Sequence, residues 1–86
     1  MIRQPILIVD DEPEIRETLL EALDGQGYSA EAVDSGEAAL VRLAERPFPV
    51  VLTDLHMPGG QTGLDLIGAI RHHFPDTLCV LITAYA

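Results

Sequence analysis

Four polar residues with side chains suited to phosphate or metal chemistry occur where short apolar runs of the sequence end. They are two adjacent aspartates after the first run, an aspartate after the third and a threonine that closes the fourth, namely Asp10, Asp11, Asp54 and Thr83. Apolar runs of this length, rich in β-branched residues, are typical of buried strands. Because ligands of parallel α/β sheets bind beyond the carboxyl ends of the strands, we expect these side chains to lie together.

Three carboxylates at one edge of a sheet predict a bound cation. Each pair of unit charges about 4 Å apart repels by about 4 kcal/mol at an effective dielectric constant of about 20. Mg²⁺ removes this repulsion and leaves room for water and a phosphoryl oxygen. Asp54 can then act as a carboxylate nucleophile, while Thr83 donates a hydrogen bond to a phosphoryl oxygen. The predicted product is an aspartyl phosphate.

Each of these residues also has an ordinary structural interpretation. An aspartate before a helix is a common N-cap, and Asp11 followed by Pro13 is typical of a helix start. An aspartate such as Asp54 often begins a loop, and threonine is a good strand residue. The conjunction favours a site, while for any one residue both interpretations stay open.

The rest of the sequence predicts an α/β fold around these residues. Apolar runs alternate with stretches of helical period, as in βα repeats. The predicted strands cover residues 5–10, 29–33, 50–53 and 78–83, and the second alternates in polarity like a half-exposed edge strand. The order β-α-β-α-β-α-β with short connections predicts a parallel sheet with right-handed crossovers.

The predicted helices have recognisable start signals. The first covers residues 12–26 with Asp11 as its cap, the second follows Ser35, and the third follows a capping box of Thr62 and Asp65. The face of the first helix that we expect to be buried consists of Ile15, Leu19, Ala22 and Leu23.

Composition limits the class of protein and its partners. The 86 residues can form one small domain, and a formal net charge of −9 with no lysine argues against binding to nucleic acid. The single Cys79 excludes a disulfide framework, and no apolar stretch is long enough for a signal peptide or a membrane span. We therefore expect a cytoplasmic protein that binds neither nucleic acid nor membranes.

Five motifs together resemble the receiver domain of two-component response regulators, a CheY-like domain. They occur in the family's order and spacing: Val9-Asp10-Asp11-Glu12-Pro13, Ser35-Gly36-Glu37-Ala38-Ala39-Leu40, Thr53-Asp54-Leu55-His56-Met57-Pro58, Gly63-Leu64-Asp65-Leu66 and Ile82-Thr83-Ala84-Tyr85-Ala86. The resemblance implies a flavodoxin-like, doubly wound parallel sheet. Since the family fold has a further helix, strand and helix, residues 1–86 are expected to be the N-terminal portion of a receiver domain, truncated after its fourth strand.

The resemblance also implies a role for individual residues. The implied Mg²⁺ ligands are Asp10 through water, Asp11 directly, Asp54, and the backbone carbonyl of His56. Asp54 is the implied phosphoacceptor, and Thr83 with the Ala84 amide would hold the phosphoryl oxygens. The implied partner is a sensor histidine kinase or phosphotransfer protein that donates from a phosphohistidine. Receivers catalyse this transfer onto themselves and the later hydrolysis.

One departure from the family bears on this activity. The family places a lysine at the end of its fifth strand, where it contacts the phosphoryl group, and this sequence contains no lysine. Loss of a cation weakens catalysis in an electrostatically dominated site. We therefore expect impaired self-phosphorylation and autodephosphorylation.

Two other hypotheses stay open at this point. A receiver scaffold that is not phosphorylated can serve as a protein-interaction module, and the exposed edge of the fourth strand then favours a strand-paired or swapped homodimer. A phosphohydrolase of the haloacid dehalogenase kind also uses a strand-end aspartate with Mg²⁺. That family carries its nucleophile in an Asp-x-Asp pattern after the first strand, which Asp10-Asp11 does not match.

Overall fold

The computed structural model describes residues 5–56 and 62–82. Strands and helices alternate along the chain: β1 (Ile6–Val9), α1 (Pro13–Gly25), β2 (Ala30–Val33), α2 (Gly36–Glu45), β3 (Val50–Asp54), α3 (Gly63–His73) and β4 (Leu78–Ile82). This order confirms the prediction from the sequence. No helix in these two segments is both long and apolar enough to cross a lipid bilayer.

The four strands form one parallel sheet in the order β2-β1-β3-β4. The chain moves outward from β1 to β2 and then returns past β1 to β3, and this reversal makes the sheet doubly wound and flavodoxin-like. Because parallel crossovers are right-handed, the reversal places α1 on one face of the sheet and α2 and α3 on the other. The predicted edge position of β2 is confirmed, and all its residues are half-buried.

The main core lies between the sheet and the helices α2 and α3. Leu7 of β1 and Val51 of β3 are register partners, and both are completely buried. The cluster around them draws on both helices and on the segment before β3, and consists of Leu7, Val9, Ala39, Leu43, Phe48, Val51, Leu66 and Ile70. This cluster fixes the position of α3 against the end of β3.

The opposite face of the sheet is covered by α1, and less completely. The predicted burial of one face of this helix is wrong in part: Ala22 is exposed and no residue of α1 is fully buried. Ile15, Leu19 and Leu23 are half-buried. The reason is that α1 contacts mainly β1 and β2, so it packs along one side of the sheet instead of sitting between two helices.

Apolar side chains of β4 are exposed on this same face. Val80 aligns through Leu52 with the buried Ile8 of β1, so it points to the side on which α1 lies. Val80 is 40% exposed and Leu78, two residues earlier, is 62% exposed. Within the described segments, therefore, the α1 face of β4 is uncovered.

Two of the predicted helix caps are confirmed. The Ser35 hydroxyl accepts a hydrogen bond from the Ala38 amide at 3.1 Å. The Thr62 hydroxyl accepts from the Asp65 amide at 3.2 Å, and the Asp65 carboxylate accepts from the Thr62 amide at 2.9 Å. This capping box fixes where α3 begins, close to the end of β3.

The prediction that Asp11 caps α1 is wrong. Glu12 is the N-cap residue, and its side chain makes no capping hydrogen bond. The Glu12 amide donates instead to Oδ1 of Asp10 at 2.9 Å. Pro13 begins the helix, where its missing N–H costs nothing. The Asp11 carboxylate is exposed and is not used as a cap.

An ion-pair network connects α2 to the edge strand β2. Glu31 of β2 accepts hydrogen bonds from Arg42 and, at 3.0 Å, from Arg46. Arg42 also donates to Glu45 at 2.7 Å. These groups are partly exposed, so each pair contributes on the order of 1 kcal/mol or less.

Leu66→Ala tests the core beneath α3. Leu66 has 0% exposure, so truncation should lower the unfolding free energy by about 2–5 kcal/mol through lost burial and a residual cavity. Leu64→Ala is the matched control, because Leu64 lies in the same helix and is 61% exposed, and its effect should stay within about 0.5 kcal/mol. Urea denaturation followed by circular dichroism measures both. Equal losses would contradict this placement of α3.

Candidate functional site

Three carboxylates converge at the carboxyl end of the sheet. Asp10, Asp11 and Asp54 each contribute an oxygen, and these oxygens all lie within 4.8 Å of one another. Asp10 is buried, with 4% exposure, whereas Asp54 is half-buried and Asp11 is exposed. The structure therefore brings together the three aspartates that follow β1 and end β3.

Asp10 is held by three hydrogen bonds where the chain leaves the sheet. Its amide donates to the carbonyl of Val33 at 3.2 Å, which continues the pairing of β1 with β2. Its Oδ1 accepts from the Glu12 amide at 2.9 Å. Its carbonyl oxygen accepts from Nη1 of Arg16 at 2.8 Å. Both the backbone and one carboxylate oxygen of Asp10 are thus fixed by neighbouring groups.

Asp54 is positioned by β3 and by the first residue of α3. Its predecessor, Thr53, is a fully buried register partner of Val9 in β1. Gly63 begins α3 so close to β3 that an added Cβ would stand 2.1 Å from the Asp54 carbonyl oxygen. The Gly63 amide also donates to the Leu55 carbonyl at 2.8 Å. Because glycine has no Cβ, the helix start can lie directly against the end of the strand.

The other predicted site residues lie at the same end or beyond the described residues. His56 is exposed, follows Asp54 by two positions and forms an antiparallel bridge with Thr62. Thr83 and Ala84 lie outside the described residues. Their predecessor Ile82 is the register partner of Asp54, so β4 runs up to the level of the carboxylates.

Two residues at the site were not predicted from the sequence. Arg16 is a basic residue among the glutamates Glu12, Glu14 and Glu17, and this contrast in charge is the signal that the sequence offers for it. Gly63 belongs to one of the five motifs, but nothing in the sequence indicates its contact with Asp54.

The electrostatic environment of Asp10 opposes its negative charge. Desolvation by burial is the largest cause that raises the pKa of Asp10 above 3.8, and repulsion by Asp54 and Asp11 adds to it. The hydrogen bond from the Glu12 amide and the charge of Arg16 lower that pKa but do not offset the rise. The ionised cluster is therefore unfavourable in the absence of a further cation.

The donor set fits a hard divalent cation. Carboxylate oxygens are the ligands that Mg²⁺ and Ca²⁺ prefer, whereas the softer metals prefer imidazole or thiolate groups. Mg²⁺ in particular is bound through one or two carboxylates and keeps several coordinated waters. A cluster with one buried, one half-buried and one exposed carboxylate offers both ligands and open positions.

A separate cleft of about 450 Å³ lies elsewhere on the molecule. It is formed by the segments that follow α2 and α3, with Phe48 and Phe74 among its lining residues. These segments lead into the amino ends of β3 and β4, whereas the carboxylates lie at the carboxyl end. The cleft contains none of the predicted site residues.

The fold and the acidic cluster together define the CheY-like class of receiver domains. The family model for the response regulator receiver domain matches residues 6–86, so the chain belongs to that family. Response regulator protein PilR from Pseudomonas aeruginosa is 42% identical over 85 residues, covering 99% of this chain and 19% of PilR. The chain thus spans less than a fifth of the length of that curated relative.

Solved structures agree with this assignment. Response regulator protein TrrA from Thermotoga maritima, in complex with Mg²⁺–BeF, has a TM-score of 0.89 at 41% identity, covering 96% of this chain and 71% of that chain. A complex of TrrA with the histidine kinase ThkA gives a TM-score of 0.88 at 41% identity, again covering 96% and 71%. The predicted family and fold class are confirmed.

Gly63→Ala tests the contact between α3 and Asp54. The new Cβ would overlap the Asp54 carbonyl oxygen, so α3 must shift, and we expect a loss of about 1–3 kcal/mol of unfolding free energy. Gly68→Ala is the control in the same helix. A Cβ added at Gly68 has no atom within 4 Å, so this substitution should stabilise the chain by about 0.5–1 kcal/mol. Thermal and urea denaturation measure the two changes, and the same sign for both would contradict the contact.

Asp10→Asn tests the cost of ionising Asp10. Its pKa is raised above 3.8 in the folded chain, so ionisation opposes folding above the raised pKa, and the penalty disappears as the pH falls towards 3.8. Asparagine keeps an oxygen acceptor for the Glu12 amide. We expect Asp10→Asn to be more stable than the original chain at neutral pH in EDTA, with the difference shrinking on acidification.

The matched control for this pH profile is Asp76→Asn. Asp76 is exposed in the turn before β4, away from the carboxylate cluster. Urea denaturation at a series of pH values gives the free-energy difference for each variant. If the difference in unfolding free energy between Asp10→Asn and the original chain does not depend on pH, the cost assigned to ionising Asp10 is contradicted.

Proposed function

We propose that this chain is the phosphoacceptor part of a response regulator and takes a phosphoryl group from a phosphohistidine onto Asp54 with the help of Mg²⁺. The observation that carries the proposal is the convergence of Asp10, Asp11 and Asp54 at the carboxyl end of the sheet, in a member of the receiver family. Residues 1–86 would be the N-terminal portion of the receiver domain, in line with their coverage of 71% of the TrrA chain.

The proposed Mg²⁺ ligands are the carboxylates of Asp10, Asp11 and Asp54 and the backbone carbonyl of His56. Oδ1 of Asp10 already accepts from the Glu12 amide, so its other oxygen is the one free to face the cation directly or through water. Bound Mg²⁺ supplies positive charge that offsets the repulsion between Asp54 and an anionic phosphoryl group. The complex of TrrA with Mg²⁺–BeF supports this assignment by analogy.

The transfer itself would use Asp54 as the nucleophile. A carboxylate oxygen of Asp54 forms the new bond to phosphorus while the phosphorus–nitrogen bond of the donor breaks. The electron pair of that bond stays on the imidazole nitrogen, which takes up a proton from solvent. The Thr83 hydroxyl and the Ala84 amide are the proposed donors to the phosphoryl oxygens, and they follow directly on the strand that pairs with Asp54. Later attack of water on the acyl phosphate would return Asp54 to its free form.

The proposed phosphoryl donor is a sensor histidine kinase or a phosphotransfer protein. The complex of TrrA with the kinase ThkA supports a kinase as partner. The cluster is open enough for such a donor to approach, because Asp11 is exposed and Asp54 is half-buried.

The family lysine that contacts the phosphoryl group belongs to a fifth strand, and residues 1–86 contain no lysine. Loss of one donor from an electrostatic site costs about a hundred-fold in rate or more. We therefore propose that residues 1–86 by themselves transfer the group slowly.

Acetyl phosphate, a small phosphoryl donor, tests the assignment of Asp54. In the presence of Mg²⁺ the chain should gain one phosphoryl group, detected by intact-mass spectrometry and mapped to Asp54 by peptide analysis. Asp54→Asn should gain none, and Asp76→Asn, which changes an exposed carboxylate elsewhere, should behave like the original chain. Added EDTA should abolish the gain. Labelling of Asp54→Asn to the same extent as the original chain would contradict the proposal.

A second candidate function is an interaction module that acts without phosphorylation. It is favoured by the apolar surface of β4, where Leu78, Val80 and Leu81 are all exposed. Within the described segments, β4 pairs with β3 alone, so its outer edge presents unpaired backbone groups. Such an edge can pair with the same strand of a second copy.

The oligomeric state decides this second candidate. Sedimentation equilibrium should give a dimer that Val80→Lys converts to a monomer, because the new charge lies on the exposed strand. Val41→Lys is the control, since Val41 is 60% exposed on α2. A monomer at every concentration would eliminate the strand-paired dimer.

A further inference from the structure

Arg16 stands out among the described basic residues because it contacts the backbone of Asp10, a residue of the carboxylate cluster. Its Nη1 donates to the carbonyl oxygen of Asp10 at 2.8 Å from the second turn of α1. The other described arginines lie elsewhere: Arg42 and Arg46 bind Glu31, and Arg71 is exposed in the last turn of α3.

We propose that Arg16 is a positioning residue of the metal site, which holds the connection between β1 and α1 in the conformation that binds Mg²⁺. The inference rests on the proposed function, since it takes the carboxylate cluster as the Mg²⁺ site. It adds to that function a residue that supplies no ligand and contacts no substrate.

The carbonyl of Asp10 lacks the usual backbone donor at the start of α1. A carbonyl at the end of a strand is often satisfied by the amide three residues later, in a turn. For Asp10 that residue is Pro13, which has no N–H. Arg16 supplies the donor that Pro13 cannot, and so satisfies a carbonyl on a buried residue.

The first turn of α1 also lacks a side-chain cap. Its N-cap residue, Glu12, makes no side-chain hydrogen bond to the first turn, unlike Ser35 in α2 and Thr62 in α3. The start of α1 is therefore fixed by two contacts with Asp10, one from the Glu12 amide to the carboxylate and one from Arg16 to the carbonyl. Asp11 lies between Asp10 and Glu12 in the chain, so the position of its exposed carboxylate depends on these two hydrogen bonds.

The charge of Arg16 and its hydrogen bond have opposite expected effects on the affinity for Mg²⁺. A guanidinium near three carboxylates lowers their repulsion, and for the same reason it repels an incoming cation. If Arg16 acted through its charge alone, its removal would strengthen Mg²⁺ binding. If it acts by positioning, removal weakens Mg²⁺ binding, because groups that orient metal ligands typically contribute about ten- to a hundred-fold in affinity. The two roles therefore predict changes of opposite sign.

The test is the Mg²⁺ dissociation constant of the chain, measured by isothermal titration calorimetry, for three substitutions of Arg16. We expect Arg16→Ala to raise the constant about ten-fold or more. Arg16→Lys keeps the charge and a donor and should recover part of the affinity, as should Arg16→Gln, which keeps only a donor. Arg71→Ala, which removes an exposed arginine, should leave the constant unchanged. The two conservative variants keep the test valid if Arg16→Ala does not fold.

A second measurement separates positioning from a general loss of stability. In NMR hydrogen exchange without Mg²⁺, Arg16→Ala should speed exchange of the Glu12 amide more than that of the amides within β1. A uniform increase across the chain would show a purely structural role and overturn the proposal. Unchanged or tighter Mg²⁺ binding by Arg16→Ala would also overturn it. If the original chain binds no Mg²⁺, the proposed function fails and this inference fails with it, whereas normal binding by the original chain and by Arg16→Ala eliminates only the role of Arg16.

Discussion

The pairing register of β1 with β3 is the constraint on which the site depends. Val9 is aligned with Thr53, so the next residues, Asp10 and Asp54, stand at the same level at the carboxyl end of the sheet. A shift of either strand by one residue would turn its buried side chain, Leu7 or Val51, to the wrong face and would separate the carboxylates. The packing of the core and the geometry of the site are therefore set by the same pairing, and the core supplies the free energy that holds like charges together.

That arrangement is electrostatically unfavourable for Asp10. Burial of Asp10 and the proximity of Asp11 and Asp54 both oppose ionisation and raise the pKa of Asp10. The surrounding backbone compensates in part, through the Glu12 amide and the Arg16 guanidinium. A cation that binds here gains from relief of this repulsion, so the feature that costs stability is also the one that gives the proposed metal its affinity.

The sequence was sufficient to predict the fold and the meeting of the carboxylates, because both follow from local patterns. Apolar runs indicated the strands, and the ends of parallel strands share one edge. The caps at Ser35 and Thr62 were predicted because a capping bond joins residues three apart.

The predictions from the sequence fail where contacts between separate helices and strands determine the structure. Asp11 was predicted to cap α1, but the Glu12 amide bonds to the carboxylate of the preceding residue, Asp10. Ala22 was predicted to be buried on helical periodicity alone, which does not tell how many neighbours a helix has. Arg16 and Gly63 contact the backbone of Asp10 and Asp54, which lie in other parts of the chain, and no spacing rule in a single sequence reports such contacts. The roles that the resemblance implies for the site residues, namely Asp10, Asp11, Asp54, His56, Thr83 and Ala84, stay predictions.

The order of the strands also has a kinetic consequence. Asp10 and Asp11 follow the first strand and Asp54 ends the third, so β1 and β3, which two helices and a strand separate along the chain, must pair before the three carboxylates can meet. The unfolded chain then has no preformed site, and a ligand that binds only the folded state stabilises it by the full mass-action term. Parallel pairing over such sequence distances forms slowly, so the three carboxylates come together only as the two central strands pair.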